Sequence, residues 1–151
     1  MAQSNQLKGE GVDIPEGDYR ALARLRHEVR KFTASSVKAA KRAGLEAQQY
    51  QALLAVRAHA GEDLMSTTEL ADELFISVPA AVELLNRLEA AGLVLRRESS
   101  IDRRRTVVEL TAHARSVLTS LAPTHRDELQ RHVPALMAMM AMIGQLALYQ
   151  D

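Results

Sequence analysis

The chain has no cysteine and no tryptophan, and its 151 residues include only two phenylalanines and three tyrosines. The missing thiols exclude disulfide cross-links, thiolate metal sites and thiol redox switches. Scarce aromatics leave the core to Leu, Ala, Val and Met, a mixture that favours helices. Charge of one sign is also lacking: 19 basic residues balance 19 acidic ones, which argues against a non-specific polyanion binder. No charged-then-apolar signal pattern opens the chain and no apolar run reaches transmembrane length. The longest candidate, Val133 to Tyr149, is broken by Pro134, Gly144 and Gln145. A cytoplasmic protein with no membrane partner is the expectation. Apolar residues at 47% and charged residues at 25% place it in the globular range, and its length fits one domain.

Catalytic signatures are missing as well. There is no Gly-rich phosphate loop and no Ser/His/Asp set at a recognisable spacing. No catalytic residue and no cofactor is expected, so the chain reads as a non-enzyme. Of the five histidines, His125 and His132 lie seven apart and could share a helix face. No flanking His/Glu ligand set accompanies them, and no metal site is expected.

What the sequence does have is segregated charge. Residues 20–42 hold eight basic side chains and one acid, Glu28; residues 62–83 hold six acids and no base; residues 87–105 hold six arginines and three acids. The first basic run reads as a solvated helix face pairing with acids of the N-terminal arm or of residues 62–83.

Residues 1–18 read as a flexible arm, polar and interrupted by Gly9, Gly11, Pro15 and Gly17. From Tyr19 the apolar residues Tyr19, Leu22, Leu25, Val29 and Phe32 recur every three or four positions, predicting a helix that stops at Gly44. A second helix is predicted from Glu46 to His59. Ser66-Thr67-Thr68-Glu69 is a capping box opening a short helix with Leu70, Ala71 and Leu74 inward. Ser77 is a second N-cap, and Pro79 sits in the first turn of the next helix, where its missing N–H costs nothing. That helix buries Ala81, Leu84, Leu85 and Leu88 and stops at Gly92. Strands are predicted at Leu93–Arg97 and Arg105–Leu110, joined by the polar turn Glu98–Arg104. Arg96 or Arg97 is expected to pair with Glu98 or to cover the hairpin. Thr111 then caps a long helix from Ala112 to Arg131, bent at Pro123, and Pro134 is expected to start a last, Met-rich helix whose apolar residues suit a helix–helix seam.

Two short helices joined by a tight turn form a helix-turn-helix, and a hairpin directly after it makes a winged helix. Such a fold can place its second helix in the major groove of DNA and its hairpin tip in the adjacent minor groove. Residues 66–111 resemble the MarR family of bacterial regulators. The resemblance lies in Glu69-Leu70-Ala71, Ile76-Ser77, Leu84-Leu85-Asn86-Arg87-Leu88-Glu89, Gly92-Leu93-Val94, and above all Asp102-Arg103-Arg104 followed by Leu110-Thr111. It implies a mainly α fold with a small β-hairpin wing. In that fold a winged helix-turn-helix (residues 61–111) is flanked by dimerisation helices (residues 19–60 and 112–151).

The resemblance further implies a homodimeric regulator of transcription, a repressor that binds double-stranded DNA and is released by a small aromatic or anionic effector. The implied DNA-contacting residues are Ser77, Val78, Pro79, Ala80, Val82, Glu83 and Arg87 on the helix, and Arg103, Arg104 and Arg105 on the wing. In the family pattern Arg104 enters the minor groove and Asp102 orients it. The run Val78 to Glu83 offers methyl groups and one carboxylate instead of the usual polar side chains. That leaves a rival reading open: a dimeric winged-helix protein-interaction module without sequence-specific DNA binding.

Overall fold

The computed structural model describes residues 16–147. Helix α1 (Glu16–Arg42) starts three residues before the expected start at Tyr19, with Glu16 and Asp18 in its first turn and Lys41 and Arg42 in its last. Both charge placements favour the helix dipole. Residues 1–15, the rest of the expected arm, lie outside the described residues. Helix α2 (Ala47–Ala58) follows, its first turn held by Gln49 Oε1 accepting from the Glu46 amide at 3.0 Å. Helix α3 (Thr67–Glu73) opens on the expected capping box: Ser66 Oγ accepts from Glu69 N at 3.2 Å and Glu69 Oε2 accepts from Ser66 N at 2.7 Å. Helix α4 (Val78–Ala90) begins at Ser77, whose hydroxyl accepts from Ala80 N at 3.3 Å.

Three helices end in the same way. After α1, Gly44 N donates to Lys41 O and Leu45 N to Ala40 O; after α4, Gly92 N donates to Glu89 O and Leu93 N to Leu88 O. After α3 the pair is Phe75 N to Asp72 O and Ile76 N to Ala71 O. This closure requires a left-handed residue at its centre. Gly44 and Gly92 supply it at φ 73° and 70°, whereas Phe75 supplies it at φ 54° with a side chain 96% exposed. A bulky residue in that region is strained by about 1–2 kcal/mol, and an exposed ring recovers none of this by packing. Phe75→Gly is therefore expected to raise stability by about 0.5–1 kcal/mol after the extra unfolded-chain entropy of glycine. Thermal or denaturant unfolding reads the change; a destabilised variant would show that Phe75 has a packing role.

Strands β1 (Val94–Glu98) and β2 (Thr106–Leu110) pair antiparallel, Val94 opposite Leu110 and Glu98 opposite Thr106. A bridge between Ser66 and Val107 and a 2.8 Å bond from Val108 N to Met65 O add the segment before α3 to this sheet. The hairpin thus grows from the helix-turn-helix itself. The core runs through Tyr50, Leu53, Leu70, Leu84, Leu85, Leu88, Val94 and Val108, each at most 2% exposed.

The C-terminal helices differ from expectation. Helix α5 (Ala112–Ser120), capped by Thr111, ends at Leu121, and helix α6 (Ala122–Ala147) starts immediately. The break precedes Pro123 because proline suits the first turn of the new helix, where no acceptor awaits its N–H. Pro134 lies inside α6 and does not start a helix. The missing N–H leaves only the Gln130 carbonyl without its usual donor, on a residue that faces solvent.

Helices α1 and α6 pack on each other but leave apolar side chains uncovered. Tyr19, Leu22 and Val29 of α1 and Leu129, Val133, Met137 and Met140 of α6 are exposed, Met140 by 68%. Of the expected Met-rich seam, Met139 is buried, Leu136 and Ile143 are half-buried, and Leu146 falls among residues whose side chains are outside the described set.

Candidate nucleic-acid interface

Helix α4 turns Ala81, Leu84, Leu85 and Leu88 inward, so the helical repeat turns Val78, Pro79, Val82, Glu83, Asn86 and Arg87 outward. Ala80 is half-buried and Ser77 stands at the cap. Opposite this face is the wing. Between them runs a groove of about 610 Å³, walled by Thr67 and Thr68, by Val78 and Val82, and by Arg96, Arg104 and Arg105.

The wing tip, residues 99–105, is a closed loop. Ser99 N donates to Arg105 O and Arg105 N to Asp102 O, both at 2.9 Å. Asp102 Oδ1 accepts from the backbone and Nε of Arg104 at 3.0 and 3.2 Å, and Oδ2 from Nη2 at 3.4 Å. The guanidinium is therefore gripped on one edge while its side chain remains 92% exposed. The Arg104 hydrogen bonds hold the Asp102 carboxyl below its usual range, so the pair is charged on both sides at neutral pH.

Three further wing arginines are tied down. Arg105 reaches back 3.0 Å to Glu69 Oε2, the carboxylate that caps α3. Backbone and side-chain bonds from Ser66, with Arg105 adding its charge, lower the Glu69 pKa. Neither Arg96 nor Arg97 pairs with Glu98, one of the two arrangements expected for them. Arg96 binds Glu89 at 2.6 Å and Asn86 at 2.7 Å on α4, and Arg97 pairs with Glu109 across the strands. Arg97 and Glu98 are adjacent on β1 and point to opposite faces, whereas Arg96 and Glu98 share a face but stand about 6–7 Å apart along the strand, so Arg96 takes the nearer carboxylate on α4. Arg87 stands apart from the groove, bound to Glu46 of α2 at 2.9 Å. Arg103 is exposed with no carboxylate partner among the described residues.

Residues 43–105, which span both helices of this face and the wing tip, match the sequence profile of the MarR family. This segment is a MarR-family winged helix. Solved structures with the same overall fold include AbsC, a MarR family transcriptional regulator from Streptomyces coelicolor. It is 23% identical, with a TM-score of 0.71, covering 91% of this chain and 93% of its own. Sco3205 of the same organism, solved with DNA, is 20% identical at TM-score 0.69, covering 89% and 91%. CouR from Rhodococcus jostii RHA1, solved with p-coumaroyl-CoA, is 19% identical at TM-score 0.65, covering 84% and 90%. No curated protein matches the chain.

On this MarR-type frame the structure gathers Val78, Val82, Arg104 and Arg105 around one groove and sets Arg87 outside it. Several contributors carry no sequence signal. Ser99 is 2% exposed; its hydroxyl donates to Asp63 Oδ2 and accepts from Ile101 N at 3.0 Å and Asp102 N at 2.9 Å. Asp63 lies 36 residues away in the α2–α3 linker, and nothing local marks the two as partners.

A second polar group joins α2 to the terminal helices. Tyr50 Oη hydrogen-bonds His125 Nε2, and buried Glu128 accepts from Ser35 Oγ at 3.0 Å. Burial first, and the Glu128 charge second, push the Tyr50 phenol up to about 12. His132, expected to share a face with His125, packs edge-on against Phe32. The basic side chains of α1 do not meet residues 62–83; Lys31 pairs with Glu28 of its own helix at 3.4 Å. Among the described residues no helix is long and apolar enough to cross a membrane.

Proposed function

We propose that the chain is a transcriptional repressor that binds double-stranded DNA as a two-fold homodimer, without enzymatic activity. The observation that carries this reading is the guanidinium of Arg104, held by Asp102 and 92% exposed beside the outward face of α4. A cation fixed in an extended pose loses little entropy on entering a minor groove, where the potential is most negative. In this reading Ser77, Val78, Pro79, Ala80, Val82 and Glu83 meet the major groove through methyl contacts and a carboxylate able to accept from cytosine N4. Arg103 adds a phosphate contact, and Arg87 and Arg105 act from their ion pairs. Residues 61–111 form the DNA-binding part, and residues 19–60 and 112–151 the dimerisation part. Sco3205, which shares the fold, was solved with DNA.

Release by a small anionic or aromatic effector belongs to the same proposal. CouR was solved with p-coumaroyl-CoA. Here a cleft of about 610 Å³ between α1 and α6 carries Lys31, Lys38, Arg42 and Arg131 against the carboxylates of Asp127 and Glu128. A cytoplasmic location follows from this role.

The test is a salt-controlled titration of genomic duplexes. Arg104→Ala is expected to weaken binding by about 1–3 kcal/mol with a shallower salt dependence. Asp102→Ala removes an anion, so bulk electrostatics predicts tighter binding; a positioning role predicts weaker binding. Glu83→Gln is expected to tighten general affinity by relieving phosphate repulsion. If Asp102→Ala and Glu83→Gln tighten binding to every duplex alike, Arg104 is not held in place for DNA. The exposed Val78 and Val82 favour the second reading, a protein-interaction module; it prevails if no duplex is bound above the non-specific level.

A further inference from the structure

We infer that Asp63 and Ser99 are positioning residues for the wing, acting on DNA through Arg104 without touching it. This rests on the DNA-binding reading above. The Ser99 hydroxyl has two lone pairs and one proton. Both lone pairs are taken by the amides of Ile101 and Asp102, so the proton must find an acceptor elsewhere, and Asp63 Oδ2 is that acceptor. Asp63 is itself fixed, its other oxygen accepting from the Leu64 amide at 2.7 Å. The strut therefore runs from the α2–α3 linker, through a side chain 2% exposed, to the amide of the residue that grips Arg104.

The strut explains a carboxylate near a surface meant for a polyanion. Asp63 costs some long-range attraction and in exchange fixes where the arginine stands. With Ser99 removed, two amides at the tip lose their acceptor and the loop is free to move.

The experiment measures anisotropy of a labelled cognate duplex at one salt concentration with wild type, Ser99→Ala, Asp63→Asn, Arg104→Ala and the Ser99→Ala/Arg104→Ala double variant. Ser99→Ala changes no charge, so bulk electrostatics predicts no effect; the strut predicts a loss of about tenfold. Asp63→Asn keeps one acceptor oxygen for two donors and is expected to lose less. In the Arg104→Ala background the Ser99 substitution should change little, because the group it positions is gone. Wild-type affinity in Ser99→Ala, or the same fold loss with and without Arg104, overturns the assignment.

Amide hydrogen exchange on the free protein reads the strut separately. The Ile101 and Asp102 amides should exchange slowly in wild type and about tenfold faster or more in Ser99→Ala and Asp63→Asn. Unchanged exchange overturns the strut whether or not DNA binds. Protected amides in a protein that shifts no duplex would instead overturn the DNA reading and leave the strut standing. Asp63→Asn, which removes no atom from the buried site, carries the test if Ser99→Ala does not fold.

Discussion

Removing residues 134–151 is expected to yield an aggregated or unfolded product, the largest effect of any change considered. The segment contains the second half of α6, including buried Met139 and half-buried Leu136 and Ile143. Its loss would uncover the partners of these residues on α1 while leaving Tyr19, Leu22 and Val29 exposed as before. A protomer of this size rarely carries such a run of uncovered apolar side chains alone. A two-fold dimer built on α1 and α6 would cover them, so that folding and association are one equilibrium. Light scattering and far-UV circular dichroism of the truncated chain decide the matter. A soluble, folded monomer would contradict the obligate dimer.

Leu85→Ala should cost about 2–5 kcal/mol, the range for a leucine truncated in a packed core. Leu85 is fully buried on α4, in one cluster with Tyr50, Leu53, Leu70 and Val94. Leu85→Met, which nearly conserves volume, should cost less than about 1.5 kcal/mol. Val82→Ala, one turn earlier on the outward face and 38% exposed, should cost about 0.5 kcal/mol or less. Denaturant unfolding at fixed protein concentration separates the three. Similar losses for Leu85→Ala and Val82→Ala would mean that α4 is turned differently.

The same contrast shows what the sequence could reveal. Apolar spacing located α1 to α4, and local chemistry located their ends, because a cap such as Ser66–Glu69 or a stop such as Gly92 is decided within a few residues. The Asp102–Arg104 grip was legible for the same reason, as a family motif three residues long. Pro134 misled because proline marks a helix start only as a local preference, and packing of α6 on α1 overrides it. The strand boundaries moved by one residue, and Arg96 chose Glu89 over Glu98, because side-chain partners in a hairpin lie across strands and on the neighbouring helix. Asp63 with Ser99 and Tyr50 with His125 were invisible: their partners come together only when distant segments pack, and neither pair has a spacing of its own.

The neutralised wing also bears on how quickly the protein would find its site. Four of its five arginines, Arg96, Arg97, Arg104 and Arg105, each face a carboxylate within the protein. Seen from a distance the hairpin is close to electrically silent, and its field fades further within a Debye length of about 8 Å at physiological salt. Encounter with DNA would then proceed without much steering, nearer the unassisted rate of about 10⁵–10⁶ M⁻¹s⁻¹ than the diffusion limit. Little residence on random sequence and little one-dimensional sliding are expected. Such a protein would reach its operator mainly through free solution, and its selectivity would rest on how long it stays.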